Sequence, residues 1–204
     1  MRQLLIDRDP SAGERLRASL EALPNRERDA WLDSVLGIDA FPPDGADLPR
    51  SCTPYLPCSV DVLLRTVERA RITSEDVFVD IGSGVGRVAV LVHVLTGAAA
   101  VGLEVQRALV EQSRALAETL SVTRVATIEG DAAEMVKLVP LGTVFFLYCP
   151  FSGARLERVL HHLEAMARAR TIRICCVQLP ALEREWLKLV SADEELSIYR
   201  SLPA

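Results

Sequence analysis

From Asp76 onward the chain alternates short apolar runs with longer amphipathic ones, and few folds admit that alternation. Val77 to Ile81 reads as a strand, Gly86 to Leu95 as a helix, and Ala99 to Glu104 as a second strand. Arg107 to Leu120 is a charged amphipathic helix, Val125 to Glu129 a third strand, and Ala132 to Leu138 a short helical segment. Thr143 to Tyr148, Arg155 to Ala169 and Thr171 to Val177 continue as strand, helix, strand. Parallel neighbours need a long crossover, and helices of this length supply it, so an α/β sheet wound on both faces is expected. The ending departs from the rhythm. Trp186 to Val190 and Leu196 to Ser201 flank Ser191-Ala192-Asp193-Glu194-Glu195, which reads as a hairpin loop closing a mostly parallel sheet.

The first fifty residues differ. Ser11 to Ala22 and Asn25 to Leu36 read as helices divided near Pro24, the second with Trp31, Leu32, Val35 and Leu36 at helical spacing. Phe41-Pro42-Pro43-Asp44-Gly45 ends them, and Ser59 to Ala70 forms a further helix after Pro57. This divides the chain into an N-terminal helical extension, 1–50, and a main domain, 51–204; the extension is expected to be a lid or a dimer contact. The 204 residues, half of them hydrophobic and a quarter charged, suit one such domain. A net charge of -5 gives the whole chain no footprint for nucleic acid. No secretory signal and no membrane-spanning run is read, and five irregularly spaced cysteines fit reduced thiols in a cytoplasmic protein.

The chemistry concentrates at Val79-Asp80-Ile81-Gly82-Ser83-Gly84-Val85-Gly86-Arg87. A strand ends at Asp80, the chain turns through glycines, and a helix begins, the arrangement that lets backbone approach a ligand in a Rossmann-like sheet. A dinucleotide fingerprint needs Gly-x-Gly-x-x-Gly, yet Arg87 stands at the last position and the third glycine comes one residue early. Asp80 also opposes a pyrophosphate by charge. It favours a cation, and S-adenosylmethionine (SAM) carries a sulfonium and an ammonium but no phosphate. Glu104 ends the second strand, placed for ribose hydroxyls, and Asp131 follows the third, placed for an adenine amino group. Each acid alone is equally a helix cap or a solvated loop residue; the set of strand-end acids is what points to SAM.

With that loop and those acids the chain resembles the class I SAM-dependent methyltransferases over about Thr53 to Ser201. The resemblance implies a seven-stranded sheet ending in the hairpin above, with Gly82, Ser83, Gly84 and Gly86 along the methionine part of SAM. It further implies Glu104 on the ribose and Asp131 with Ala132 near the adenine. Thr53-Pro54-Tyr55-Leu56-Pro57 before the first strand looks like the Dot1-type and related small lysine methyltransferases. That likeness would place Thr53, Tyr55 and Ser59 near the methionine end, though Tyr55 equally reads as a packed ring between prolines. Many amino-group methyltransferases carry Asn or Asp, then Pro-Pro and an aromatic, after the fourth strand. Tyr148-Cys149-Pro150-Phe151 matches only in Pro150 and Phe151.

Tyr148 and Phe151 are the candidate acceptor-site residues, Phe151 as an aromatic wall for a methylated nitrogen. His161, His162 and His93 read as helix residues remote from the chemistry, and no zinc site or nucleophilic triad is read. The reaction expected is in-line transfer of the methyl to a nucleophile, with S-adenosylhomocysteine leaving. The acceptor is a protein lysine or, alternatively, a small molecule; a nonenzymatic SAM-binding scaffold is a rival, and an NAD-dependent oxidoreductase the weakest one.

Overall fold

Five consecutive strands run parallel at the centre of the protein, as seen in a computed structural model that describes residues 1–46 and 48–202. In chain order the elements are α1 (Arg2–Ile6), α2 (Ala12–Ala22), α3 (Asn25–Leu36), α4 (Val60–Arg69), β1 (Val77–Ile81), α5 (Arg87–Thr96), β2 (Ala99–Glu104) and α6 (Arg107–Thr119). There follow β3 (Val125–Glu129), α7 (Ala132–Met135) with a 3-10 turn Val136–Leu138, β4 (Val144–Tyr148), α8 (Ala154–Ala167), β5 (Arg173–Val177), β6 (Leu187–Ala192) and β7 (Leu196–Ser201). The sheet order is β3-β2-β1-β4-β5-β7-β6. Only β7 runs against its neighbours, pairing antiparallel with both β5 and β6. The seven-stranded sheet with a closing hairpin is thus as expected.

The central strands are buried on both faces, and period-2 alternation divides their side chains between two cores. Phe78, Phe146 and Cys175 face α4, α5 and the N-terminal helices. Val79, Phe145, Leu147 and Cys176 face α7 and α8. The adjacent cysteines therefore act as small buried hydrophobes on opposite sides of β5. Leu16, Leu20, Leu32 and Leu36 of α2 and α3 are fully buried in the first of these cores, with α2 against α5 and α3 against α4.

Three local differences from the sequence reading have physical causes. Helix α1 was not expected: five residues are too few for a periodic stripe, and its one buried residue, Leu5, is supplied with a partner only by tertiary packing. Strand β6 extends to Ala192 because a bulge between Leu189 and Ser191 absorbs one residue, shortening the hairpin loop. The Asp193 carboxylate then accepts from the main-chain N–H of Glu195 (3.0 Å) and Leu196 (2.9 Å), closing the turn. Strand β5 starts at Arg173, whose guanidinium pairs with Asp76 and reaches the Ala70 carbonyl, tying the strand's start to the end of α4.

Candidate functional site

The crossover at β1 puts the site where the strand order reverses, between the carboxyl ends of β1, β2 and β4. A cleft of about 770 Å³, counted to its open mouth, lies there. Gly82, Glu104, Asp131, Ala132, Tyr148 and Phe151 line it, together with Thr53 and Tyr55 of the segment before α4. The remaining expected residues, Asp80, Ser83, Gly84 and Gly86, lie behind that lining.

Tyr55 explains why. Its ring covers the glycine turn so closely that a Cβ on Gly84, whose φ is +54°, would lie 1.9 Å from Tyr55 Cε2. Burial raises the Tyr55 phenol above its ordinary pKa, so the hydroxyl is protonated at neutral pH. Gly86 serves a different contact: at φ +76° it starts α5, and a Cβ there would lie 2.2 Å from Ser113 Oγ of α6. The Ser83 hydroxyl is buried without a partner among the described residues and lies against β2, where a Cβ on Gly102 would meet it at 2.4 Å. Ser59 caps α4, its Oγ accepting from the Val62 N–H.

The strand-end acids sit in three different environments. Asp80 is 2% exposed, and its Oδ2 has no hydrogen-bond partner among the described residues. Burial, then the nearby Glu104 charge, pushes its pKa up to about 8. Glu104 holds the glycine turn: Oε2 accepts from the Gly84 N–H at 2.8 Å, and Oε1 from the N–H groups of Val105 and Gln106, each at 2.8 Å. Burial nonetheless raises its pKa. Asp131 caps α7 through Ala133 N–H at 3.0 Å, while its Oδ2 pairs with Arg155. Because every Glu104 contact comes from an N–H donor, Glu104→Gln would press an amide NH2 against one of them. The variant should bind SAM about tenfold more weakly, as one charge-assisted bond is worth about 1.5–3 kcal/mol. Calorimetric titration checks this, and unchanged affinity would remove Glu104 from the ligand's surroundings.

At the other end, the segment before α4 is tied across the sheet. Thr53 donates twice, its N–H to the Pro150 carbonyl (3.0 Å) and its hydroxyl to the Cys149 carbonyl (2.6 Å). Cys52 forms an isolated antiparallel bridge with Phe151, which is 4% exposed and packed in the core. The Asp44 carboxylate accepts from the Tyr55 N–H (2.9 Å) and from Gln106 Nε2 (2.8 Å). Gln106, Cys52, Arg155 and Gln178 were missed by the sequence reading. The strand-end rule that found Glu104 would also have found Gln178, one residue beyond β5; the others needed the tertiary fold. His161 and His162 lie on α8 outside the cleft lining, and His93 Nδ1 sits 2.7 Å from the Ala98 carbonyl. No cluster of metal-ligating side chains occurs among the described residues, and none of their helices is long and apolar enough to cross a membrane.

Comparison with known proteins bears on the fold. Residues 51–128, less than half the chain, match the family model for histone methylation protein DOT1. No curated protein matches the sequence. Among solved structures, an RNA methyltransferase from Salinibacter ruber in complex with S-adenosyl-L-homocysteine is 24% identical, with a TM-score of 0.56, covering 72% of this chain and 94% of that one. A precorrin-6y C5,15-methyltransferase from Geobacter metallireducens is 16% identical, with a TM-score of 0.54 and coverage of 82% and 96%. A precorrin 8w decarboxylase from Methanobacterium thermoautotrophicum is 16% identical, with a TM-score of 0.53 and coverage of 79% and 99%. Such similarity speaks to fold, and a fold hosts many activities. The chain has the class I SAM-dependent methyltransferase fold, and the segment bearing its glycine turn and Glu104 is similar to the Dot1 type.

Proposed function

We propose that the protein is a SAM-dependent methyltransferase acting on an amine, a protein lysine in the first instance, in the cytoplasm. The observation that carries this reading is the charge of the site. Asp80 is a buried acid beneath the glycine turn whose Oδ2 has no partner among the described residues, and among those residues Glu104 and Asp131 are the only charged ones lining the cleft. An arriving cation favours ionisation of a desolvated acid and a phosphate opposes it, so the residues present fit SAM better than a dinucleotide or a nucleic acid. All five cysteines are free, which supports a reducing compartment.

In this reading Asp80 receives the ammonium of the methionine part, and Glu104 the ribose hydroxyls on the lone pairs its N–H partners leave over. Asp131, its direction fixed by Arg155, receives the adenine amino group. When bound, SAM supplies an electrophilic methyl on a sulfonium. The chain itself aligns the acceptor beside Tyr148 and keeps water out with Tyr55, Pro150 and Phe151. The two lining carboxylates are engaged by the main-chain N–H groups of Gly84, Val105 and Gln106 and by Arg155, so an amine arrives neutral, having lost its proton to solvent. A small-molecule amine is the second reading, favoured by the Thr53 tie that holds the preceding segment across the cleft.

Calorimetric titration with SAM, S-adenosylhomocysteine and NAD tests the cofactor. Micromolar binding of the first two and none of NAD is expected. A folded protein that binds neither sulfur ligand would refute the methyltransferase reading.

A further inference from the structure

The acceptor end of the cleft offers few polar groups. The Cys149 and Pro150 carbonyls at the end of β4 already accept from Thr53. Beside the weakly bonding Cys52 and Cys149 thiols, the polar side chains there that have no protein hydrogen-bond partner among the described residues are the Tyr148 hydroxyl and the exposed Gln178 carboxamide. They stand on neighbouring strands: Tyr148 pairs in register with Val177, so Gln178 is the next residue along.

Gln178 is also held there by a backbone that does not suit it. Its φ is +53°, the left-handed region that costs a residue with a Cβ about 1 kcal/mol or more. Its N–H donates to the Glu195 carbonyl at 2.9 Å, locking it to the β6–β7 turn. Further on, the Leu182 N–H donates to the Tyr199 hydroxyl at 3.0 Å, so the chain after Gln178 is fixed as well. Cys149, at the matching position after β4, has φ +40°. Glycine would relieve both positions, and the first of them carries a carboxamide at the rim of the cleft.

Resting on the methyltransferase reading above, we propose that Gln178 is the acceptor-recognition residue, its carboxamide oxygen accepting from an N–H of a primary or secondary amine beside Tyr148. The Tyr148 phenol, its pKa raised chiefly by burial, is protonated at neutral pH and available as a neutral partner. The amide oxygen orients the amine by one N–H without taking its proton, leaving the nitrogen lone pair for the methyl carbon. As the N–C bond forms, the C–S bond breaks with its pair on sulfur, and the nitrogen's surplus proton goes to water. Among the described residues no Lys or Arg lines the cleft to hold an anionic acceptor.

The test uses two SAM analogues that differ at the reacting centre. S-Adenosylhomocysteine lacks the methyl; sinefungin carries an amine-bearing carbon in place of the methylsulfonium, so its amine points to the acceptor side. Both are titrated calorimetrically into wild type, Gln178→Ala and Gln178→Gly. Wild type is expected to prefer sinefungin by about tenfold, and both variants to lose that preference while binding S-adenosylhomocysteine within about twofold of wild type. Gln178→Gly removes the backbone strain, so loss of preference with an undiminished melting midpoint excludes a merely structural effect. A preference unchanged in Gln178→Gly overturns this proposal alone. Failure of wild type to bind either analogue overturns the methyltransferase reading and this proposal with it.

Discussion

Replacing Asp80 with Asn is expected to weaken SAM binding by about a hundredfold and, at the same time, to make the SAM-free protein more stable, since a desolvated charge paired with a ligand cation is worth several kcal/mol in either direction. The first effect follows from removing a carboxyl buried beneath the glycine turn whose Oδ2 has no partner among the described residues. The second follows from linkage. The native Asp80 pKa is about 8, whereas an unfolded aspartate titrates near its ordinary value of 3.8. Between those values the native state binds the extra proton, so the group's contribution to stability is full below the unfolded pKa and is lost as pH rises toward the native one. Asn carries no charge to desolvate and escapes that loss. At pH 8 the variant should gain on the order of 2–4 kcal/mol, a rise of about 5–10 °C in the melting midpoint.

The same carboxyl makes binding proton-linked. At neutral pH the free protein holds Asp80 mostly protonated, and an arriving ammonium favours the carboxylate, so SAM binding releases a proton. Affinity should fall by up to about tenfold for each pH unit below 8. Calorimetry in two buffers of different ionisation enthalpy detects the release directly. Equal heats in both buffers, together with undiminished SAM binding by Asp80→Asn, would place the ligand's ammonium elsewhere.

The second large effect is expected at Arg87. Its side chain is 1% exposed and spans three partners: Nε to Asp33 (2.5 Å), one terminal nitrogen to Asp29 (2.8 Å), the other to the Cys58 carbonyl (2.6 Å). It therefore joins the first turn of α5, directly after the glycine turn, to α3 and to the residue before α4's cap. Arg87→Ala removes the cation and leaves Asp33, the Cys58 carbonyl and a cavity behind. Destabilisation of about 3–5 kcal/mol is expected, the usual cost of breaking a buried pair from one side. Urea unfolding measures it. Limited proteolysis should cut earlier within residues 1–50 in the variant, because α3 loses its polar anchor to α5. A variant as stable and as protease-resistant as wild type would mean that apolar packing alone holds these helices.

Arg87 also shows where sequence and tertiary structure part. As a sequence feature it only spoiled a dinucleotide fingerprint; in the fold it is the fastening of the N-terminal helices. The strand–helix alternation, the order of the strand-end acids and the closing hairpin were legible because each is a local pattern: period 2 or 3.6 in apolar residues, and an acid where a strand stops. Glu104 and Asp131 emerged from that rule and do line the cleft. The sequence could not tell that Glu104 holds the turn through the Gly84 N–H, that Asp131 is shared with Arg155, or that Tyr55 covers Gly84, because those partners lie 20, 24 and 29 residues apart in the chain. Nor could it separate Gly84, which makes room for a ring, from Gly86, which makes room for α6. Local periodicity is set by neighbours along the chain, and so the sequence by itself determined the class of fold and the strand ends that bear the site. The burial that turns Asp80 into a group titrating near 8, and the bond to the Glu195 carbonyl that sets Gln178 at the cleft rim, depend on what meets across the sheet, and only the tertiary structure decided them.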